Sequence, residues 1–276
     1  MDRKLQALYG LKFNPFSPDI PIEALFVYDE LESFLWRMEN IFINEGGFSL
    51  ITGESGRGKS ATLRLLEAKL SAHRDIEVGV ITHPSASVSD FYRELGDIFG
   101  VPLKLHNRWH SFKSLREKWS QHLNTTLVRP VLFIDEAQEM PLSVLNELRL
   151  LTSLKFDSQL LMSVVLSGDQ RLPNKLKSEN LLPLASRIKF RLNVDYASSK
   201  QLSDSLHHML DAAGNSQLMT SELINVISEH SIGNYRVLYN NCSILLSTAI
   251  EKEVHQLDEK LYLECFPAST VKRGRK

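Results

Sequence analysis

The sequence has little that would mark it for the outside of a cell or for a membrane. Two cysteines in 276 residues, Cys242 and Cys265, build no disulfide framework and lack metal-ligand spacing, so reduced thiols are expected. No apolar run approaches the roughly 18 residues of a membrane span. The opening Met-Asp-Arg-Lys lacks the apolar core of a signal peptide, so a cytoplasmic chain without a membrane is expected. An excess of one charge is missing too. With 32 Lys+Arg against 33 Asp+Glu the net charge is −1 and the pI about 6.8. No global positive field draws in nucleic acid, and any such surface must be local. The sequence shows no internal repeat and no low-complexity tract. What remains is an ordinary globular composition, 43% hydrophobic and 24% charged, with room for one full-sized domain and a smaller partner.

The most informative stretch is Phe48-Ser-Leu-Ile-Thr-Gly-Glu-Ser-Gly-Arg-Gly-Lys-Ser60. An apolar run reads as a buried strand, and the helix-like segment Ala61 to Leu70 follows. Between them Gly53, Gly58, Lys59 and Ser60 fit G-x-x-x-x-G-K-[ST]. Glycines at 53, 56 and 58 let backbone wrap closely around a phosphate chain. The free N–H groups and the positive end of the helix favour an anion there. Lys59 would reach the β- and γ-phosphates of a nucleotide, and the Ser60 hydroxyl would hold Mg²⁺. Candidate contacts to ATP are therefore Gly53, Glu54, Ser55, Gly56, Arg57, Gly58, Lys59, Ser60 and Ala61.

Arg129-Pro-Val-Leu-Phe-Ile-Asp-Glu136 is the second strong signal. Its four apolar residues read as a fully buried central strand that delivers two carboxylates at its carboxyl end, where ligands of open α/β sheets sit. Asp135 is placed for the Mg²⁺ shell, and Glu136 for orienting and deprotonating an attacking water. The run Leu160 to Ser167 reads as another buried strand, ending in Gly168-Asp169. Ser167 and Asp169 are both candidates to bond the γ-phosphate or the water.

Around these signals the chain reads as follows. Residues 1–28 are turn-rich and aromatic, with Pro15, Pro18 and Pro21 against a continuous helix. They form either a strap across the core or one wall of a base pocket. Asp29 to Asn44 is an amphipathic helix ended by Gly46-Gly47. Ile76 to Thr82 reads as a strand, and Ser89 to Phe99 as a helix capped by Ser87 or Ser89. A polar segment, 103–113, precedes a helix from Leu115 to Leu123, and Pro141 to Ser153 is another. Phe156 to Gln159 reads as a turn. Leu181 to Leu192 runs from a short helix, past Arg187, into the last strand. Beyond Asp195 only helices are expected: Ser198–Ala213, Ser221–His230, Asn234–Glu253 and Leu257–Cys265. The sequence thus divides into a 1–195 α/β nucleotide-binding domain with an N-terminal strap, and a 196–276 helical lid with the basic tail Lys272, Arg273, Arg275 and Lys276.

In this order the motifs resemble those of the AAA+ ATPases, with Gly53–Ser60 at the Walker A position and Val131–Glu136 at Walker B. The resemblance implies a P-loop α/β fold with a five-stranded parallel sheet, a small all-helical lid, ATP hydrolysis with Mg²⁺, and a homo-oligomer, ring or helical filament. It puts Ser167 or Asp169 in the sensor 1 region, makes Arg187 similar to an arginine finger, and makes Gly233-Asn-Tyr-Arg236 similar to sensor 2. The Tyr9-Gly-Leu opening, Asn14-Pro-Phe16, Gly47-Phe48, Asp135-Glu-Ala-Gln138 and Leu166-Ser-Gly-Asp-Gln-Arg-Leu172 look like the ExeA/TniB/TnsC group. The last of these departs from the group's Gly-Gln-Pro-Glu-Leu. Two functions occur in that group. One is regulation of transposition, assembling on double-stranded target DNA, meeting a target-selection protein and activating a DDE transposase. The other is secretion-system assembly by ExeA-type proteins, which add a membrane segment and a peptidoglycan-binding part. The chain shows neither part, so the resemblance favours the transposition regulator. Lys104, Arg108, Lys113 and Arg116, with His106, Lys118 and Trp109 beside them, are then the DNA-contact candidates. The alternative for them is a solvated basic face.

Overall fold

The computed structural model describes residues 2–103, 107–154 and 159–267. In chain order the elements are α1 (Asp2–Tyr9), α2 (Asp29–Asn44), β1 (Phe48–Thr52), α3 (Lys59–Ser71), β2 (Ile76–Ile81), α4 (Val88–Ile98), α5 (Arg108–Gln121) and β3 (Arg129–Ile134). Then come α6 (Leu142–Thr152), the two-residue antiparallel pair β4 (Ser153–Leu154) and β5 (Gln159–Leu160), β6 (Ser163–Gly168), α7 (Arg171–Leu176), α8 (Leu182–Ala185) and β7 (Ile188–Asn193). Four helices finish the described chain: α9 (Ser199–Ala213), α10 (Ser221–His230), α11 (Tyr235–Lys252) and α12 (Glu259–Cys265).

Five strands form one parallel sheet in the order β2-β3-β6-β1-β7. Because parallel neighbours need crossover helices, both faces are covered, and the central strands must be apolar along their length. They are: every residue of β1 and β6 is buried, as is β3 from Pro130 onward. Phe48, Leu50, Leu132, Ile134, Val164 and Leu166 join Phe91, Leu95, Trp119 and Leu148 from the helices in one core. β7, at an edge, alternates instead, with Ile188 buried and Lys189, Arg191 and Asn193 exposed. Reversal of strand order at β1 puts the carboxyl ends of β1, β3 and β6 side by side, the place where such sheets bind ligands.

The chain divides into two compact units, 29–195 and 1–28 with 196–276. The second boundary lies where the sequence changes character, at 195/196. The first 28 residues, however, are grouped with the helices rather than with the sheet. Leu5, Tyr9, Leu11, Phe16, Ile20 and Ala24 share a hydrophobic core with Leu206, Met209, Leu210, Leu245 and Leu246. Tyr9 Oη donates to the Val254 carbonyl at 2.7 Å, and Lys12 N–H to the Ala213 carbonyl at 2.9 Å. The aromatic residues read as a strap or a pocket wall are thus core-fillers of the helical unit, where burying each is worth about 1.5–3 kcal/mol.

Local chemistry sets the helix ends. Ser87, not Ser89, caps α4 by accepting from Asp90 N–H, and Ser198 with Gln201 makes a capping box on α9. α5 begins seven residues before the expected Leu115. Asn107 caps it by accepting from His110 N–H, and Trp109 stacks on Phe112 along its first turns. Among the described residues no helix is long and apolar enough to cross a membrane. The expected turn at Phe156 to Gln159 lies, except for Gln159, outside the described residues.

Candidate nucleotide site

β1 ends at Thr52 and the chain enters the loop at Gly53, whose N–H donates to the Gly168 carbonyl at 3.2 Å. Gly53 lies against the Val194 carbonyl so closely that a Cβ would overlap it. Gly56 (φ 81°) and Gly58 (φ 106°) take the left-handed conformation that side chains disfavour. Gly58 is the N-cap of α3, and no acidic residue lies in that helix's first turn to compete for an anion. Lys59 is 7% exposed, and its Nζ donates to the carbonyls of Gly53 at 2.8 Å and Glu54 at 3.3 Å. Glu54, Ser55 and Ser60 are exposed, Gly56, Gly58 and Ala61 half-buried. Arg57 is buried with Nη1 3.8 Å from Asp195 Oδ1.

The neighbouring strand ends complete the site. Ile134 pairs with Leu166 and Ile51 with Ser167, so Asp135 leaves β3 beside Ser167. The buried Ser167 Oγ donates to Asp135 Oδ1 at 2.8 Å, and Ser60 Oγ lies 3.4 Å from Asp135 Oδ2. Glu136 is exposed and takes a left-handed conformation, φ 50°, which turns it out of the strand direction. Its own N–H donates to Asp135 Oδ1 at 2.9 Å. Asp169 is half-buried and committed elsewhere. Its carboxylate accepts from Arg171 Nε at 2.8 Å, and that hydrogen bond holds its pKa below the usual carboxylate range.

A phosphate chain with Mg²⁺ fits these donors. The glycine loop offers backbone N–H groups and one ammonium, while Ser60 and Asp135 offer two hard oxygens near enough to share one coordination shell. Among the described residues no cluster of three or more His, Cys, Asp or Glu could hold a metal by itself. That suits an ion carried mainly by phosphate and water rather than a protein cage.

The other expected site residues are engaged in different surroundings. Arg187 is half-buried, and its Nη1 donates to the Arg149 carbonyl at 2.7 Å. Arg236 is exposed in the first turn of α11, in the helical unit, where Asn234 caps its N–H. Arg108 grips buried Glu147 through Nε at 3.1 Å and through Nη2. Arg116 donates to the Leu150 carbonyl at 2.8 Å with its guanidinium carbon 4.9 Å from the Phe112 ring centre. Lys113 is paired with Glu117 at 3.6 Å. Lys104, His106 and the basic tail lie outside the described residues. Sequence reasoning passed over Glu147, a carboxylate set among the apolar positions Val144, Leu145, Leu148 and Leu151 of α6, which was its signal. It also gave no role to Gln138, for which no periodic signal exists.

Comparison with known proteins agrees with this fold. Residues 43–176 match a family model described as an AAA domain. This is an AAA+ P-loop fold. The chain is similar to general secretion pathway protein A of Aeromonas hydrophila, 29% identical over 253 residues, which make up 90% of this chain and 45% of that protein. The chain therefore spans less than half of that relative. Its AAA+ fold is also that of the Aeropyrum pernix ORC2 protein, solved as ADPNP and ADP complexes, with a TM-score of 0.72 at 15% identity over 92% of this chain and 71% of that one. The ORC1 protein of the same organism, solved in complex with DNA, gives 0.66 at 15% identity over 91% and 67%. At such identity the two structures speak for the fold alone.

Proposed function

We propose that the chain is a Mg²⁺-dependent ATPase that serves in the assembly of a protein complex, in the manner of secretion protein A, and works as a homo-oligomer. The observation that carries the nucleotide part is the meeting of Lys59 and Ser60, after β1, with Asp135 and Glu136, after β3, on either side of the β6 end, with Ser60 Oγ and Asp135 Oδ2 3.4 Å apart. Mg²⁺, when bound, supplies positive charge at the phosphate oxygens. Ser60 and Asp135 would hold it, with Ser167 fixing the Asp135 carboxylate. Lys59 neutralises the β- and γ-phosphates, and the Glu136 carboxylate takes the proton of the attacking water. Arg187 of one copy stabilises charge on the nucleotide held by the next, and Arg236 couples the helical unit to nucleotide state. Either Ser167 or Asp169 serves as sensor 1. Each has a partner already, Ser167 Oγ in Asp135 and the Asp169 carboxylate in Arg171.

Similarity to secretion protein A supports the assembly role. Because the chain spans less than half of that protein, parts it does not share cannot decide between the two functions, and the preference for transposition loses its ground. The second reading, a DNA-assembled regulator that activates a DDE transposase, keeps one supporting feature. That is the face of α5, where Trp109 is 70% exposed next to Lys113. Against it, Arg108 and Arg116 are already tied to α6. ATP turnover by the wild type and by Glu136→Gln, with and without duplex DNA at about 50 and about 200 mM salt, separates the readings. We expect turnover that Glu136→Gln abolishes and DNA leaves unchanged at both salts. Turnover or oligomerisation that requires DNA and weakens with salt would favour the transposition regulator.

A further inference from the structure

Gln138 lies two residues beyond Glu136, only 7% exposed. Its amide spans the gap between the β3 and β6 ends. Nε2 donates to Glu136 Oε2, and Oε1 accepts from the Asp169 N–H at 3.3 Å. The orientation is forced by chemistry, because an ionised carboxylate only accepts and a backbone N–H only donates. The surroundings are shaped for this bridge. A Cβ on Gly168 would overlap Gln138 Oε1, and the Gln138 carbonyl accepts from Lys175 Nζ at 2.8 Å. Glu136 itself stands in a left-handed conformation on an exposed turn, where an exposed carboxylate has many rotamers. The Gln138 amide selects one of them.

We propose that Gln138 is a positioning residue: it aims the Glu136 carboxylate and makes that aim depend on the turn after β6. The inference rests on the reading of Glu136 as the proton acceptor for water. Ser167 near the end of β6 and Asp169 on the turn after it therefore touch, between them, both carboxylates of the site. Ser167 Oγ reaches Asp135, and the Asp169 N–H reaches Glu136 through one amide. A change at the β6 end, where the γ-phosphate is to be sensed, then passes to the catalytic base without any movement of the sheet.

A second link joins the same two turns without touching Glu136. Arg171 Nη2 pairs with Glu139 at 2.8 Å and with Asp169 at 2.7 Å. It provides the control for a role that is merely structural.

Two substitutions divide the bridge. Gln138→Met keeps the shape and loses both bonds. Gln138→Glu keeps an acceptor for the Asp169 N–H and loses the donor to Glu136. Steady-state ATP turnover, affinity for a fluorescent ATP analogue and the melting temperature without nucleotide are measured for both, and for Arg171→Ala and Glu136→Gln. We expect kcat to fall about tenfold or more in both Gln138 variants, with KM and analogue affinity within about twofold of wild type. Gln138→Glu, which also sets a second carboxylate against Glu136, falls at least as far as Gln138→Met. Arg171→Ala stays within about twofold of wild type. Normal kcat in both Gln138 variants, or an equal loss in Arg171→Ala, overturns the proposal. So does a loss that merely follows a fall in melting temperature and affinity. If Glu136→Gln turns over like wild type, or wild type does not turn over, the reading of Glu136 fails first and this inference with it. If Glu136→Gln is inactive while both Gln138 variants are normal, only the inference fails.

Discussion

The α/β unit and the helical unit differ in what they bury. In 29–195 the buried polar side chains include the charged Arg57, Lys59 and Glu147, together with Gln138 and Ser167. In the helical unit, among the described residues, they are the hydroxyls of Ser205, Ser228 and Ser231. Even the phenol of Tyr239, which shares a hydrogen bond with Ser205, is kept neutral, its pKa pushed up to about 12 by burial. The Cys242 thiol is raised by burial as well. Ser205 and Ser231 each have a hydrogen bond and Ser228 Oγ has none, and a neutral hydroxyl costs far less to bury than a charge, which costs several kcal/mol unless paired. Glu147 has its partners in Arg108 and the Tyr92 hydroxyl, and serves the fold. Lys59 has two loop carbonyls and no carboxylate among its bonds at 2.8 and 3.3 Å. A charge held at such cost in a glycine loop makes sense where an anionic ligand completes it.

Substitutions sharpen the contrast. The largest effect is expected in the helical unit, where only packing is at stake. Leu206→Ala removes a fully buried side chain from α9 and should cost about 2–5 kcal/mol in urea unfolding. A cost below about 1 kcal/mol would mean that this core is not close-packed. Gly168→Ala, in the α/β unit, is smaller in stability and larger in function. Its Cβ would overlap Gln138 Oε1 and come within 3.0 Å of Leu172, at a cost of about 1–3 kcal/mol. Turnover should fall beyond what the stability loss explains, and unchanged turnover would show that the crowding is relieved away from Gln138.

Local patterns revealed much of this. The apolar runs marked β1, β3 and β6, spacing of three and four marked α2 from Asp29 to Asn44, and Ser87 or Ser89 marked the cap of α4. The five-stranded parallel sheet was implied by the resemblance that the phosphate loop and the second apolar strand carry, and the sheet agrees with it. What stayed hidden depends on which distant segments meet. Nothing within residues 1–28 says that Tyr9 will bond the carbonyl of Val254. The start of α5 was hidden because Asn107 caps a turn whose residues are polar and aromatic, without an apolar period. Gln138 could be quoted in a motif but given no role until the register of β3 and β6 set it between Glu136 and Asp169.

The central claim is that the charge buried at the strand ends exists for a triphosphate. It is tested most directly by melting wild type and Lys59→Met with and without Mg²⁺ and ATP. The account predicts that nucleotide at a hundred times its Kd stabilises wild type by about 2.7 kcal/mol. Lys59→Met should lose that stabilisation while its own melting temperature stays the same or rises, because a costly buried ammonium has gone. A variant that is still stabilised by nucleotide, or one that melts far below wild type without any, would contradict it.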